Sequence, residues 1–209
     1  MKNQEWFRRT TWSPDAERDF YERLNRARPS NKAQYLRIQA LHLAEAGQAD
    51  AALNLLNRLF TQFPELVQLA AAHSQAAQCH EHLGNTDEAV REYRLALEVQ
   101  KGFPNVDPGT RLEFPWFIVM KQLEPLYDEA LSILESAHIV FPVQAFKAAA
   151  IRAFVARARQ SQAQASQYAV EALRAAGVEE SQFRYHRTLG LVGPEYEHVI
   201  EQLAELAAA

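Results

Sequence analysis

The sequence predicts an all-α protein in which a helical pattern repeats along the chain. Apolar residues recur at intervals of three and four along most of the chain, which is the spacing that places them on one face of an α-helix. Alanine, leucine, glutamate, glutamine and arginine, all good helix formers, fill these segments. Gly47 and Gly84 lie 37 residues apart, and an alanine follows each five residues later, Ala52 and Ala89. A fixed period of this length is typical of helical solenoids.

The first helix is expected over residues 13–28. Ser13 is a favoured N-cap residue, and Pro14 suits the first helical position. Pro29 should end this helix, because the residue before a proline avoids helical angles. The cap of the next helix is expected at Ser30 or Asn31. The large aromatics before the first helix either dock on the core or form a contact site: Trp6, Phe7 and Trp12.

Two segments then carry a specific resemblance. The run DEAVREYRLALEV, residues 87–99, resembles the second helix of a tetratricopeptide repeat, a unit of about 34 residues folded as two antiparallel helices. The resemblance assigns repeats to residues 33–66 and 70–103. The members of this superfamily that the chain resembles are bacterial stand-alone proteins. The corresponding positions are the turn residues Gly47 and Gly84, the helix-crossing residues Ala52 and Ala89, then Leu56 and Tyr93, and Leu59 and Ala96. Pro64 closes the first repeat, whereas the second has Lys101 at that position and Pro104 slightly later.

Two further repeats fit the pattern less closely, at residues 111–144 and 146–179. In the first of them, Pro125 stands where the turn glycine is expected, and the first helix begins either at a Thr110–Glu113 capping box or at Pro115. The remaining matches are Tyr127, Ala130, Leu134, Ala137 and Pro142 in the third repeat, and Ala153, Ala165, Ala169, Ala172 and Leu173 in the fourth, with Gly177 as its stop.

The last part of the chain is expected to be irregular over residues 181–193 and helical over residues 194–207. Tyr196, Val199 and Leu203 lie on one face of this last helix. The resemblance therefore implies one domain over residues 1–209, a right-handed α-solenoid of antiparallel helix pairs with N- and C-terminal capping helices. The stretch Phe183–Arg187 mixes aromatic and cationic side chains, which either seal the last repeat or grip a partner.

Composition limits the classes of partner. The formal net charge is −4, from 22 Lys+Arg and 26 Asp+Glu, without the basic excess that nucleic-acid binding usually needs. Cys79 is the only cysteine, which favours a reducing compartment. No apolar run approaches the roughly 20 residues of a membrane span, and the start lacks the apolar core of a signal peptide. We expect a cytoplasmic protein without a nucleic-acid or membrane partner.

Residues with chemical potential point to structure rather than catalysis. His73, Cys79, His80 and His82 could suggest zinc, but they come from a single predicted helix, and His73 and His80 occupy repeat positions that normally face inward. No spaced nucleophile–base pattern, paired-carboxylate motif or glycine-rich phosphate loop is present. We therefore expect no catalytic residue, no metal and no cofactor.

The resemblance implies a function in protein binding, with the oligomeric state left open. The first helices of tetratricopeptide repeats line a concave groove, so we expect an adaptor, assembly factor or inhibitor that binds a protein or peptide. A toxin-neutralising or peptide-sensing regulator would use the same groove, and an enzyme on a helical scaffold is the remaining alternative. We expect Arg37, Phe154 and Arg157 to anchor the partner. The full predicted groove is Gln34, Arg37, Leu41, Glu45, Ser74, Gln78, Glu81, His82, Val119, Gln122, Lys147, Phe154 and Arg157.

Overall fold

A computed structural model describes residues 6–103 and 106–208 and confirms an all-helical chain. No strand occurs in these two ranges, and helical residues account for 73% of them. Short 3-10 turns over Glu124–Leu126 and Pro194–Tyr196 precede the seventh and tenth helices. In chain order the α-helices are α1 Pro14–Arg26, α2 Pro29–Glu45, α3 Ala49–Gln62, α4 Leu66–His82, α5 Thr86–Gly102, α6 Thr110–Met120, α7 Tyr127–Leu134, α8 Pro142–Ala158, α9 Gln162–Ala176 and α10 Glu197–Ala208.

The start of α1 follows the sequence prediction, whereas the start of α2 does not. The Ser13 hydroxyl accepts a hydrogen bond from the Ala16 backbone N–H at 3.2 Å, and Pro14 is the first helical residue. Pro29 is itself the first residue of α2, so the expected cap at Ser30 or Asn31 was wrong. The physical reason is that the fixed φ of proline, which disfavours a helix before it, suits the first position of a new one.

The helices form two compact units, Met1–Thr110 and Arg111–Ala209. In the first unit, α2 packs against α3 and α4 against α5, while α4 also contacts α2 and α3. Full burial of one leucine or phenylalanine side chain contributes about 1.5–3 kcal/mol. The largest buried side chains around α1, α2 and α3 are Phe20, Leu24, Leu36, Leu43, Leu55, Leu56 and Leu59.

The aromatic residues ahead of α1 dock on this core. The Trp6 ring lies 5.3 Å from the Phe20 ring, and the Trp12 ring lies 5.4 Å from it on another side. The buried Gln39 side chain accepts a hydrogen bond from the Arg9 backbone N–H at 3.0 Å and donates one to the Arg9 carbonyl at 2.7 Å. An extended segment is thereby fastened to α2 through its backbone as well as its rings.

The second unit is organised around α8. This helix packs against α9 and also contacts α7 and α10, and α9 packs against α10. Most of its residues are buried, including Phe146 and Ile151, so it has no broad solvent-facing side. A helix that is apolar around most of its circumference belongs in the interior of a helical unit.

Four turns between consecutive helices have the same backbone geometry. Each contains one residue with positive φ: Gly47 and Gly84 at 76°, Gln122 at 55° and Gln160 at 59°. The N–H of the following residue bonds to a carbonyl five residues earlier, as in a Schellman helix end. These bonds run from Gln48 to Leu43 at 2.8 Å, and from Asn85 to His80, Leu123 to Ile118 and Ser161 to Ala156 at 2.9 Å.

A fully buried alanine follows each of these turns. Ala52, Ala89, Ala130 and Ala165 lie near the starts of α3, α5, α7 and α9, and each is 0% exposed. A methyl group at such a position lets neighbouring backbones approach closely. The alanine recurrence read from the sequence thus corresponds to a recurring structural position.

The third helix pair departs from the prediction in three places. Of the two alternative starts, α6 has the one at Thr110, with Pro115 inside the helix, but the Thr110 hydroxyl has no hydrogen-bond partner among the described residues, so the capping box is absent. Gln122, not Pro125, takes the left-handed turn position. The helix α7 ends at Leu134, which leaves Ala137 outside it.

The prolines predicted to close the second and third repeats are not confirmed in that role. Pro142, expected to close the third repeat, opens α8 instead, because proline suits the first helical position. Pro104 lies outside the described residues. Within the described ranges, no helix is long and apolar enough to cross a bilayer.

Candidate functional site

In the first unit, the structure brings the predicted groove residues of α2 and α4 onto neighbouring helices. Gln34, Glu45, Gln78 and His82 are exposed, while Leu41 and Glu81 are half-buried. Glu81 accepts a hydrogen bond from the Tyr93 hydroxyl. Ser74 is buried and therefore offers no accessible surface to a partner.

Arg37 is tied to α4 instead of standing clear of the surface. Its Nε donates to Gln68 Oε1 at 2.7 Å. Gln75, in the amide orientation that satisfies both groups, accepts from Arg37 Nη1 at 3.2 Å and donates to the Arg37 carbonyl at 3.3 Å. Burial lowers the pKa of the Arg37 guanidinium below its usual value. These contacts give Arg37 a part in joining α2 to α4.

His73 and Cys79 of α4 take up structural positions. The His73 ring stacks on Phe60 at 4.3 Å between centroids, and its Nδ1 lies 2.7 Å from Glu92 Oε2. Cys79 is 1% exposed, and burial raises its thiol pKa to about 11. Within the described ranges, no three His, Cys, Asp or Glu side chains are grouped to hold a metal ion.

In the second unit, Lys147 was expected to face a groove but is buried. Its Nζ lies 2.8 Å from both carboxylate oxygens of Glu113 on α6. The same ammonium lies 5.3 Å from the centroid of the Trp116 ring and 5.7 Å from that of Tyr196. The ammonium therefore joins α6 to α8 through a carboxylate and two aromatic rings, and removing the Glu113 carboxylate would leave the buried Lys147 charge without its ion-pair partner.

Four predicted groove residues do meet in one place, Val119, Gln122, Phe154 and Arg157. They line a cavity of about 310 Å³ formed by the end of α6, the turn before α7, the end of α8 and one face of α10. We call it the α6–α10 cavity. Val119 and Phe154 are buried in its wall, whereas Gln122 and Arg157 are exposed at it. The Arg157 guanidinium carbon lies 5.0 Å from the centroid of the Phe154 ring.

Several residues of this cavity escaped the sequence analysis. Glu124, Tyr127, His198 and Gln202 complete its polar lining. Burial raises the Tyr127 pKa, the Glu124 carboxylate raises it further, and the Arg157 guanidinium acts in the opposite direction. A single phenol is therefore within electrostatic reach of both charges. Tyr127 had been recognised only as a repeat position, and α10 only as a capping helix.

The aromatic and cationic stretch near the end of the chain is split between two roles. The Phe183 ring packs 5.7 Å from the Phe141 ring, and Gly190 lies so close to Phe141 that a Cβ at Gly190 would be 2.1 Å from the Phe141 ring. Tyr185, in contrast, is 84% exposed, with Arg184 5.6 Å from the centroid of its ring. Phe183 therefore packs against the unit while part of its surface stays exposed, and Tyr185 lies in solvent.

Comparison with known proteins returned no match, whether to protein-family models, curated proteins or solved structures.

Proposed function

We propose that this chain is a non-catalytic tetratricopeptide-type repeat protein that binds a protein or peptide partner. The observation that carries the proposal is the repeated turn: left-handed residues at positions 47, 84, 122 and 160 are spaced by 37, 38 and 38 residues. Each is followed by a fully buried alanine in the next helix. Stacked repeats of this kind produce an extended surface made by equivalent helices, which is suited to binding a chain molecule.

The finer features of the proposal follow from the same repeat. The four helix pairs would form a right-handed α-solenoid, with α1 and α10 as its capping helices. The single, buried cysteine supports a reducing compartment such as the cytoplasm. A toxin-neutralising or peptide-sensing regulator would use the same surface, and identification of the partner decides between these roles.

The α2–α4 face is the part of this surface that best supports partner binding. Gln34 and Gln78 are exposed on two helices that are in direct contact. Their side chains are uncharged, so a partner could cover them without burying an unpaired charge. Arg37, between the two helices, holds them together.

The proposal is tested by capturing the partner from native cells, identifying it and measuring its affinity for two matched variants. Gln34→Arg combined with Gln78→Arg places two bulky cations on the α2–α4 face and should weaken binding at least about tenfold. Asn54→Arg combined with Asn57→Arg adds the same charge on exposed positions of α3 and should leave the affinity unchanged. Equal affinity of the two variants would refute this face as the binding surface.

A further inference from the structure

The α6–α10 cavity holds two opposite charges that the described protein leaves unpaired. Arg157 and Glu124 both line it, and neither forms an ion pair with another described residue or with each other. Elsewhere in the described part of this unit, Lys147 pairs with Glu113 and Arg159 with Asp128. A cation and an anion that line one cavity without an ion-pair partner can each bind a complementary charge of one ligand.

The buried part of the cavity wall is apolar. Val119, Phe154 and Val199 are buried in it, at 3%, 5% and 1% exposure. The contact of the Arg157 guanidinium with the Phe154 ring restricts the rotamers of the arginine and so favours one orientation of its donors. Less conformational entropy is then lost when a ligand binds.

Further polar groups lie around the same wall. The Tyr127 hydroxyl is influenced by both charges, and Gln122, His198 and Gln202 supply further donors and acceptors. A few convergent polar groups around an apolar floor are typical of small-molecule sites, whose volumes begin at about 300 Å³. The cavity, at about 310 Å³, is at this lower limit.

We propose that the α6–α10 cavity binds a small zwitterion of the amino-acid class, with its carboxylate on Arg157 and its ammonium group near Glu124. A simple anion would pair with Arg157 but be repelled by Glu124. A simple cation would pair with Glu124 but be repelled by Arg157. A ligand carrying both charges satisfies both residues. A free amino acid and a dipeptide share this chemistry, and the binding measurement distinguishes them. The proposal does not rest on the protein-binding role of the chain.

The test is a titration of methyl-labelled full-length protein with the proteinogenic L-amino acids and a panel of dipeptides, followed by nuclear magnetic resonance. At least one free amino acid or dipeptide should produce saturable shifts of the Val119 and Val199 methyl signals. Its N-acetylated and its C-amidated forms each lose one charge and should bind at least about tenfold more weakly, since one charge-assisted contact is lost. Acetate and methylammonium should produce no saturable shift.

Matched variants assign the binding to the two charges. Arg157→Gln and Glu124→Gln should each weaken binding at least about tenfold. Arg174→Gln and Glu201→Gln remove the same charges from exposed positions of α9 and α10 outside the cavity and should not change it. Thermal unfolding of all four variants checks that they are folded. The proposal is overturned if no member of the panel gives saturable shifts, if the blocked forms bind equally well, or if the cavity variants behave like the controls.

Discussion

At the scale of single residues, Arg37 and Arg157 illustrate how two arginines predicted to face the same groove acquire different roles. Both were predicted to anchor a partner. Arg37 contacts Gln68 and Gln75 on α4, whereas Arg157 is exposed, lies near the Phe154 ring and lines a cavity. Gln68, the partner of Arg37, lies 31 residues further along the chain, so a helical pattern could not reveal the difference.

We predict that Arg37→Ala lowers the free energy of unfolding by about 1–3 kcal/mol, because it leaves two glutamines of α4 without their charged partner. Arg157→Ala should change it by no more than about 0.5 kcal/mol, as for other exposed positions. Urea denaturation of both variants measures the two values. Equal stability losses would contradict the structural role assigned to Arg37.

We predict that Cys79 reacts slowly with thiol reagents in the folded protein. Its thiol pKa of about 11, against an ordinary value of 9.0, reduces the thiolate fraction at pH 8 about a hundredfold. Burial of the sulfur adds a steric barrier. The measurement compares the rate of reaction with an aromatic disulfide reagent before and after unfolding in urea. Rapid reaction of the native protein would show that the thiol is accessible.

The same shift predicts a loss of stability at alkaline pH. Below about pH 9 the Cys79 thiol is protonated in both the folded and the unfolded protein, so its full contribution to the free energy of unfolding is present. Between pH 9 and about 11 the unfolded chain releases the proton and the folded chain retains it, so the free energy of unfolding falls, by at most about 3 kcal/mol. Tyr127, whose pKa is also raised, acts in the same direction. Cys79→Ala should remove only the cysteine component, so a pH profile unchanged by this substitution would contradict the prediction.

At the scale of elements, helix identity was predictable and helix ends were less so. Ser13 and Pro14 start α1 as expected, because the cap depends on adjacent residues. In the third pair, Gln122 occupies a left-handed position that usually selects glycine. The sequence therefore carries no turn signal there, and the repeat register places Pro125 at the turn instead. Thr110 and Glu113 match a capping box, but Glu113 binds Lys147 from α8, a contact 34 residues away.

The four equivalent turns permit a matched pair of substitutions. Gln160→Gly should raise the free energy of unfolding by about 1 kcal/mol, because glycine adopts positive φ without the penalty borne by other residues. Gly84→Ala should lower it by about the same amount. A Cβ at Gly84 would have no atom within 4 Å, so backbone strain alone accounts for the effect. Denaturation midpoints that move in the same direction for both variants would contradict this assignment of the turns.

The buried alanines predict a packing defect. Ala89→Leu should lower the free energy of unfolding by about 1–3 kcal/mol, because Ala89 is fully buried in α5 and the added carbons have no space. Ala163→Leu, at an exposed position of α9, makes the same chemical change on the surface and should be nearly neutral. An unchanged denaturation midpoint for Ala89→Leu would indicate that α4 and α5 can separate to accept it.

At the scale of the whole molecule, the candidate site was only partly accessible to sequence reasoning. Val119, Gln122, Phe154 and Arg157 were found because they fall at corresponding positions of repeated helices, a property that periodicity records. Glu124 was missed because it lies in a turn, and His198 because it lies on a helix outside the repeats. Only tertiary packing brings the two residues to the cavity. Repeat position thus predicts which helices line a surface but not which charges meet there.

The helical content of the entire chain provides the broadest test. Helical residues make up 73% of the described residues, and no strand occurs among them, so the far-ultraviolet circular dichroism spectrum should have the two negative bands of an α-helical protein. Isolated helices of 8 to 17 residues, the lengths found here, are marginal in water and depend on packing of their apolar faces. The helical signal should therefore disappear cooperatively in urea, and Ala89→Leu should shift its midpoint downward. A native spectrum with substantial β-structure, or a gradual loss of signal without a transition, would contradict a packed all-helical fold.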